Sequence, residues 1–284
     1  MWCWRNHCVR GTFHASRGAI VCLLLAGCAL FQSGPEVSFI RPTAEELTAL
    51  LRQREAAIHS MKGVFSAKLR GGVIPIVSRL EGTVYYRRPN ALRLRGFSPI
   101  GVELFEFVQS DDLYKLRLPT MGRELFGRES EMEKMGKLTR PFQLSVWAMN
   151  GVLGASTLGI GETVKLTEDG DRYRLDVYAA PNRAVHQRVL MRHLWFDRRT
   201  LLVIQEDRLR EDGEVDARIH YEDFRLLDNQ TGKSLQDNSA AASLLIRPFK
   251  ISLEDGSGVG SVQVLFHEML LNQPIKSEQL GQVL

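Results

Sequence analysis

The most constraining feature of this chain is an apolar/polar alternation of period two that restarts about a dozen times between residues 64 and 269. Leu80, Gly82, Val84 and Tyr86 alternate with Glu81, Thr83 and Tyr85, and Leu92 and Leu94 alternate with Arg93 and Arg95. Successive side chains of an extended chain point to opposite faces, so each run makes a strand with one dry face and one wet face. Comparable runs cover residues 64–69, 102–109, 113–118, 164–167, 173–178, 187–196, 201–209, 215–224, 244–253 and 261–269. The links are mostly short, and Asp169-Gly170 and Asp212-Gly213 carry the residues that tight hairpin turns require. Strands that follow one another this closely pair antiparallel, because a parallel pair needs a long crossover. A sheet of this size must cover its dry face. With few helices to do so it curls, which predicts a mainly β fold: a half-open antiparallel barrel of about eleven strands, covered by an N-terminal helix and a short helical lid.

Two segments break the alternation. Thr43 and Glu46 have the spacing of a capping box, and Leu47, Leu50, Leu51, Ile58 and Met61 follow at helical intervals, which predicts a helix over about 43–62. Residues 130–153 place Met132, Met135, Leu138, Leu144, Trp147, Ala148 and Val152 three or four apart around Pro141, which predicts two short helices separated by the proline. Residues 228–242 are polar and predict a loop.

The N-terminus has a different character. Arg5, Arg10 and Arg17 precede an unbroken apolar run from Ala19 to Ala26, and Leu25-Ala26-Gly27-Cys28 follows as the exit. A cationic head, an apolar run too short to span a bilayer and a small-residue exit are the layout of a signal peptide. The tetrapeptide ending at Cys28 resembles the bacterial lipobox, which implies that Cys28 is acylated and becomes the first mature residue. The expected organisation is a signal peptide at 1–27, a lipidated tether at 28–42 and a single domain at 43–284. Cys3, Cys8 and Cys22 would leave with the signal, so the mature chain would hold neither a free thiol nor a disulfide. Ala29 follows Cys28 in place of an aspartate, which resembles lipoproteins sent on to the outer membrane. The signal arginines also carry most of the formal charge of +4. The remainder is near neutral and has no electrostatic footprint for nucleic acid.

Catalytic constellations are missing from the sequence. His267-Glu268 begins like a zinc-binding helix, but Leu271 stands where the second histidine is needed. An odd separation puts His186 and His193 on opposite faces of a strand, where they cannot share a metal. Gly159-Ile160-Gly161 and Gly258-Val259-Gly260 lack the third glycine of a dinucleotide loop, and neither a GxSxG elbow nor a phosphate-binding loop is present. Glu106, Asp176 and Asp223 lie in strand runs, where cross-strand ion pairs account for them. The sequence reads as a non-enzyme without metal or cofactor.

Several stretches, taken in order, resemble one known family. These are Gly63-Val64-Phe65-Ser66-Ala67; Arg93-Leu94-Arg95-Gly96-Phe97-Ser98-Pro99-Ile100-Gly101; Gly136-Lys137-Leu138-Thr139 with Leu144-Ser145-Val146-Trp147; and Asp171-Arg172-Tyr173-Arg174-Leu175. Together they resemble the LolA/LolB superfamily of bacterial lipoprotein carriers, most closely its outer-membrane receptor branch, LolB, over residues 43–224. The resemblance implies a half-open barrel with a helical lid. It also implies that Pro99-Ile100-Gly101 occupies the place of a membrane-insertion loop with a protruding leucine, here Ile100. The chain departs from that pattern in its length, in the polar insert at 228–242 and in the additional strand pair at 244–272.

Two functions remain open at this point. One is a carrier that shelters acyl chains of lipoproteins or phospholipids in the apolar concave face and helps insert lipoproteins into the outer membrane, with a periplasmic LolA-like carrier as a further partner. Its lining would come from Phe65, Leu80, Val84, Leu94, Phe105, Phe107, Val177 and Trp195 of the strands and from Trp147 and Met149 of the lid. The same residue types also suit ordinary core packing, as Ile100 suits a core turn. The other is a non-catalytic assembly lipoprotein that holds a protein partner through an open sheet edge. Both share the lipid anchor, and Cys28→Ala is expected to leave a longer unprocessed chain or to release soluble protein. Intact mass spectrometry of the native chain checks this, and an unmodified Cys28 would remove the argument for anchoring.

Overall fold

The alternation becomes thirteen strands of one sheet in the computed structural model, which describes residues 40–70, 79–128, 131–132, 140–154, 158–180, 188–227, 243–256 and 260–283. The first half comprises β1 (Ser60–Arg70), β2 (Arg79–Arg87), β3 (Ala91–Phe97), β4 (Glu103–Ser110), β5 (Leu113–Leu118) and β6 (Arg123–Arg128). The second comprises β7 (Thr163–Asp169), β8 (Arg172–Tyr178), β9 (Leu190–Asp197), β10 (Val203–Leu209), β11 (Val215–Leu226), β12 (Ile246–Asp255) and β13 (Ser261–Leu271). Three helices are described: α1 (Ala44–Ala56), α2 (Arg140–Val152) and α3 (Ser277–Leu280). Cys28, the 133–139 segment and the 228–242 insert lie outside the described residues.

Strand order is β6-β5-β4-β3-β2-β1-β13-β12-β11-β10-β9-β8-β7. The chain therefore steps outward from β1 to one edge at β6, crosses by the segment that holds α2 to the other edge at β7, and steps back to β13. The only neighbours that are not consecutive are β13 and β1, which pair antiparallel from Met61↔Leu271 to Arg70↔Ser261 with a bulge between Val64 and Phe65. Every other pair is consecutive in the chain. The half-open antiparallel architecture holds, with thirteen strands in place of the expected eleven or so. The strand that the alternation does not announce is β6, an edge strand exposed along most of its length, which has no dry face to write into the sequence.

Bending of the sheet has a local cause in β2 and β3. Gly82 and Gly96 are directly opposite each other, and each lies beneath an aromatic ring from its other neighbour, Phe65 over Gly82 and Phe105 over Gly96. A Cβ at either position would stand 2.4 Å from the Phe65 ring or 2.2 Å from the Phe105 ring. Leaving out the two side chains lets the rings lie flat against backbone on the concave side, a recurrent device of curved sheets.

Helix α1 starts as its sequence demands: the Glu46 amide donates to Thr43 Oγ1 at 3.2 Å, and the Thr43 amide donates to Glu46 Oε2 at 2.7 Å. It ends at Ala56, short of the expected 62, because Ser60–Lys62 are taken up in pairing with β2 and β13. Leu47 and Leu51 bury against Tyr173, Leu175, Val177, Leu194 and Phe196 of β8 and β9, which forms a second, smaller core. Pro141 falls in the first turn of α2, where the missing N–H costs nothing; the other of the two helices expected around it would fall largely on 133–139, outside the described residues.

Two buried arginines join these parts. Arg247, 2 % exposed, donates from Nη2 to the Arg54 carbonyl near the end of α1 at 2.8 Å and from Nη1 to the Leu244 and Ile246 carbonyls at 2.7 Å. Arg54, 6 % exposed, donates to the Leu201 carbonyl of the β9–β10 turn at 2.5 Å. Burial lowers both guanidinium pKa values to about 10, Arg247 also through repulsion by Arg54, and both remain charged at neutral pH. Their partners are carbonyls, some at a helix C-terminus, where cations are favoured. Arg247→Met leaves one buried and two part-buried carbonyls without this donor and is expected to destabilise by about 2 kcal/mol or more. That corresponds to a melting point lower by about 4–8 °C for a domain of this size. An unchanged melting point would mean that removing the buried charge offsets the lost bonds and that the clamp contributes nothing net.

Candidate functional site

The space enclosed by the sheet is set by how α2 is held. Phe142, Ser145, Ala148 and Met149 fall on one helical face and turn toward the concave side of β1–β4 and β12–β13. Arg140 and Trp147 form another face. Arg140 Nη2 lies 2.7 Å from Asp216 Oδ1 and 3.2 Å from Asp255 Oδ1, at adjacent ends of β11 and β12. The Trp147 ring is flanked by the Arg140 and Arg208 guanidiniums at 5.2 and 4.5 Å, within cation–π range. Near the C-terminal end, Gly151 lies against Tyr221 of β11 so closely that a Cβ would stand 1.9 Å from the phenol oxygen. The glycine sets the depth at which α2 seats, at a cost of about 1 kcal/mol in helix propensity relative to alanine.

Between this helix and the sheet lies an apolar cavity of about 60 Å³. Of the ten residues expected to line a lipid cavity, Phe65, Leu80, Leu94, Phe105 and Met149 line this one. Val84 and Phe107 belong to the same core without reaching the cavity. Val177 packs in the second core beneath α1. Trp147 is partly buried between its two arginines, at the polar side of α2. Trp195 lies on the opposite face from the core: Leu194 and Phe196 take the dry face of β9, and the indole Nε1 donates to Asp169 Oδ2 at 3.5 Å. An alternation read from a run beginning at residue 187 sets its phase one residue out for this strand.

The sequence reading did not name as lining Ala67 and Leu69 of β1, Phe142, Ser145 and Ala148 of α2 or, from β12 and β13, Ile251, Leu253, Val262, Val264 and Phe266. Ile251 and Leu253 alternate visibly. What the sequence lacks is any sign that β12 and β13 stand beside β1, which alone brings them to this cavity. At about 60 Å³ the space is well below the roughly 300–1,000 Å³ of ordinary ligand pockets. It is a space that side chains nearly fill.

A larger cavity of about 650 Å³ lies on the other face, between β3–β5 and the C-terminal segment. Several of its charges are paired, Arg93 with Glu106, Lys115 with Glu124 at 2.8 Å, and Arg117 with Glu103 at 2.9 Å and Glu106 at 2.8 Å. Burial raises the Glu106 pKa, but the hydrogen bond and charge of Arg93, with Arg117 and Arg95, hold it below the usual range. This cavity is mixed in character, with charged side chains of both signs beside Ala91, Val108 and Leu280. The other two strand carboxylates are also paired: Asp176 with Arg174 at 2.8 Å and across strands with His193 at 2.7 Å, and Asp223 with Arg225 on its own strand. Among the described residues, no group of His, Cys, Asp and Glu is arranged to hold a metal.

At the β3–β4 turn the chain does something that core packing does not call for. Ser98 closes it: the Gly101 amide donates to the Ser98 carbonyl at 2.8 Å, and the Val102 amide donates to Ser98 Oγ at 3.1 Å. Gly101 has φ +84°, and Ile100 stands 87 % exposed beside a half-exposed Val102.

No protein-family model and no curated protein sequence matches the chain. Solved structures do. A DUF1329 family protein from Desulfovibrio piger aligns with a TM-score of 0.56 at 9 % identity, covering 84 % of this chain and 98 % of that one. A domain named for outer-membrane lipoprotein sorting, from Vibrio parahaemolyticus, gives 0.53 at 11 % identity over 84 % and 97 %. A LolA superfamily protein from Nitrosomonas europaea gives 0.51 at 14 % identity over 85 % and 99 %. At such low identity the likeness is one of fold alone: the curled, open antiparallel sheet with a helix against its concave face is the fold that LolA-type proteins share with this chain.

Proposed function

We propose that this chain is an envelope lipoprotein, anchored through an acylated Cys28 to the outer membrane on its periplasmic side, that shelters acyl chains beneath α2 and passes them to the bilayer in the manner of LolB. The observation that carries this reading is the apolar cavity between α2 and the sheet, covered by a helix whose other face is held by polar contacts. An acyl chain of about 15 methylenes loses about 12 kcal/mol when exposed to water, at ~0.8 kcal/mol each, so transfer between membranes demands an apolar shelter. At about 60 Å³ the cavity is too small for such a chain. Loading requires α2 to lift from the sheet, and Arg140, Trp147 and Gly151 are the places where it is held. The similarity in fold to a domain named for lipoprotein sorting supports the reading, and the exposed Ile100 tip is what favours LolB over LolA within it.

A second reading rests on a separate observation. The outer strands β6 and β7 each have a strand neighbour on one side only, and Phe126 of β6 is half exposed. A protein partner that adds a strand there would make the chain an assembly adaptor.

Lipid content separates the two. Cys28→Ala protein purified without harsh detergent and extracted with organic solvent is expected to yield near-stoichiometric acyl lipid by mass spectrometry. Repeated lipid-free preparations that also take up no added fatty acid would leave the adaptor.

The tip is tested separately. Ile100→Glu is expected to change stability by less than about 0.5 kcal/mol, as exposed substitutions usually do. It should also weaken association with liposomes by the ~1.5–3 kcal/mol that burying the side chain in the acyl boundary contributes. Flotation of a fully folded variant at wild-type efficiency would end the membrane role of Ile100.

A further inference from the structure

The Gly159-Ile160-Gly161 stretch, too short in glycines for a dinucleotide loop, forms a braced turn that leads into β7. The Glu162 amide donates to the Gly159 carbonyl at 3.2 Å, and Gly161 takes φ +83°. The Glu162 carboxylate reaches back to accept from the Gly159 amide at 2.8 Å, and Arg192 of β9, itself buried, holds the same oxygen at 3.3 Å. On this support Ile160 is 103 % exposed, the most exposed large apolar side chain among the described residues.

The sheet topology places this turn relative to Ile100. β1 and β3 run in one direction, and β3 ends at the Ser98–Gly101 turn. Following the antiparallel register from β1 through β13, β12, β11, β10, β9 and β8 brings Tyr178, the last residue of β8, to that same end of the sheet, where it pairs with Thr163, the first of β7. Both isoleucines thus project from one end of the sheet, one from each half. The turns are built alike: each is closed by a backbone hydrogen bond, and in each the isoleucine is followed by a glycine of positive φ, +84° and +83°.

We propose that Ile160 is a second membrane-contact point, which enters the acyl boundary of a bilayer together with Ile100. The proposal rests on the membrane-contact reading of Ile100 and extends it to the opposite half of the sheet. A bilayer fits these tips better than a protein does. A stable protein interface needs about 800 Å² of continuous, shape-matched surface on each side. Two single side chains on separate turns offer no such surface, whereas a fluid acyl boundary takes up isolated apolar groups without a matching pocket. One tip would leave the domain free to pivot. Two would fix which end of the sheet faces the lipid.

The test uses the full chain with its four cysteines replaced by serine. Single cysteines are introduced as Ile160→Cys, Ile100→Cys or, as a control in the β7–β8 turn at the other end, Asp171→Cys. Each is labelled with a polarity-sensitive nitrobenzoxadiazole dye and titrated with phosphatidylcholine vesicles. Blue-shifted, stronger emission is expected at 160 and 100 but not at 171. A response at 100 alone overturns the role of Ile160 while leaving that of Ile100. A response at 160 alone does the reverse, and equal responses at all three positions, or none, overturn both. In a second arm, Ile160→Glu is placed in the protein labelled at 100. The vesicle concentration for half-maximal response should rise about tenfold or more. A change within about twofold, with the melting point unaltered, overturns the proposal.

Discussion

The pairing of β1 with β13 is the contact on which the rest of the structure depends. Every other strand pair is consecutive in the chain, most of them joined by a short link, but these two strands lie at opposite ends of the sheet's sequence and must find each other across the whole domain. Without that ladder the chain would be two separate meanders, each with an uncovered dry face. With it, Phe65 on β1 meets Phe266 on β13 at a centroid distance of 5.9 Å, and one apolar floor runs across both halves. Contacts this distant in sequence form late and slowly, because loop-closure entropy must be overcome before they stabilise anything.

The same connectivity explains why a helix lies inside the curve. The chain has to travel from the β6 edge to the β7 edge, and the concave side is the route on which it can also cover the floor. Helix α2 therefore needs two characters at once. Its Phe142, Ala148 and Met149 face buries on the floor, and its Arg140 and Trp147 face meets the charged side chains Asp216, Asp255 and Arg208 of β10–β12. Trp147 marks the boundary, apolar enough to pack on the core and rich enough in π density to sit between two guanidiniums. A helix fixed only by greasy contacts would be a core element. One fixed also by a few ionic contacts at its solvent side has a part that can be released without unfolding the sheet.

Much of the fold was legible because it is written in period two, and the legible part ends where that period stops carrying information. The capping box of Thr43 and Glu46, the Asp-Gly turns and most strands follow from local residue choice. β6 escaped because an exposed edge strand has no dry face. The short α1 and the seating of Pro141 inside α2 depend on which residues tertiary pairing recruits. For the candidate site, alternation on β1–β4 and the helical spacing of α2 name five residues that come together around the apolar cavity, Phe65, Leu80, Leu94, Phe105 and Met149. Trp195 stands on the face of β9 opposite Leu194 and Phe196, a difference of one residue in phase, to which strand reading is most sensitive. The lining from β12 and β13 was out of reach, since nothing local says that those strands stand beside β1. Ile100 and Ile160 sit at turns, where sequence gives the glycine but not the direction in which the neighbouring side chain points.

On the carrier reading, magnitudes decide whether α2 can open. Lifting it exposes the face of Phe142, Ala148 and Met149 and the floor beneath. At ~1.5–3 kcal/mol for each large side chain, the helix face alone loses several kcal/mol, with a similar loss from the floor. The ionic contacts at Arg140 and the stacking at Trp147, partly exposed, add little on this scale. In water the helix therefore stays down, and the cavity stays near the volume of a few solvent molecules. An acyl chain changes the balance because it covers both surfaces again and hides its own methylenes, worth about 12 kcal/mol for some 15 of them. Opening is then an exchange of apolar partners, favoured where free acyl chains are at hand. That place is the surface of a bilayer, and the end of the sheet that carries Ile100 is the end toward which the apolar cavity extends, through Leu69 at the close of β1 and Val262 at the start of β13.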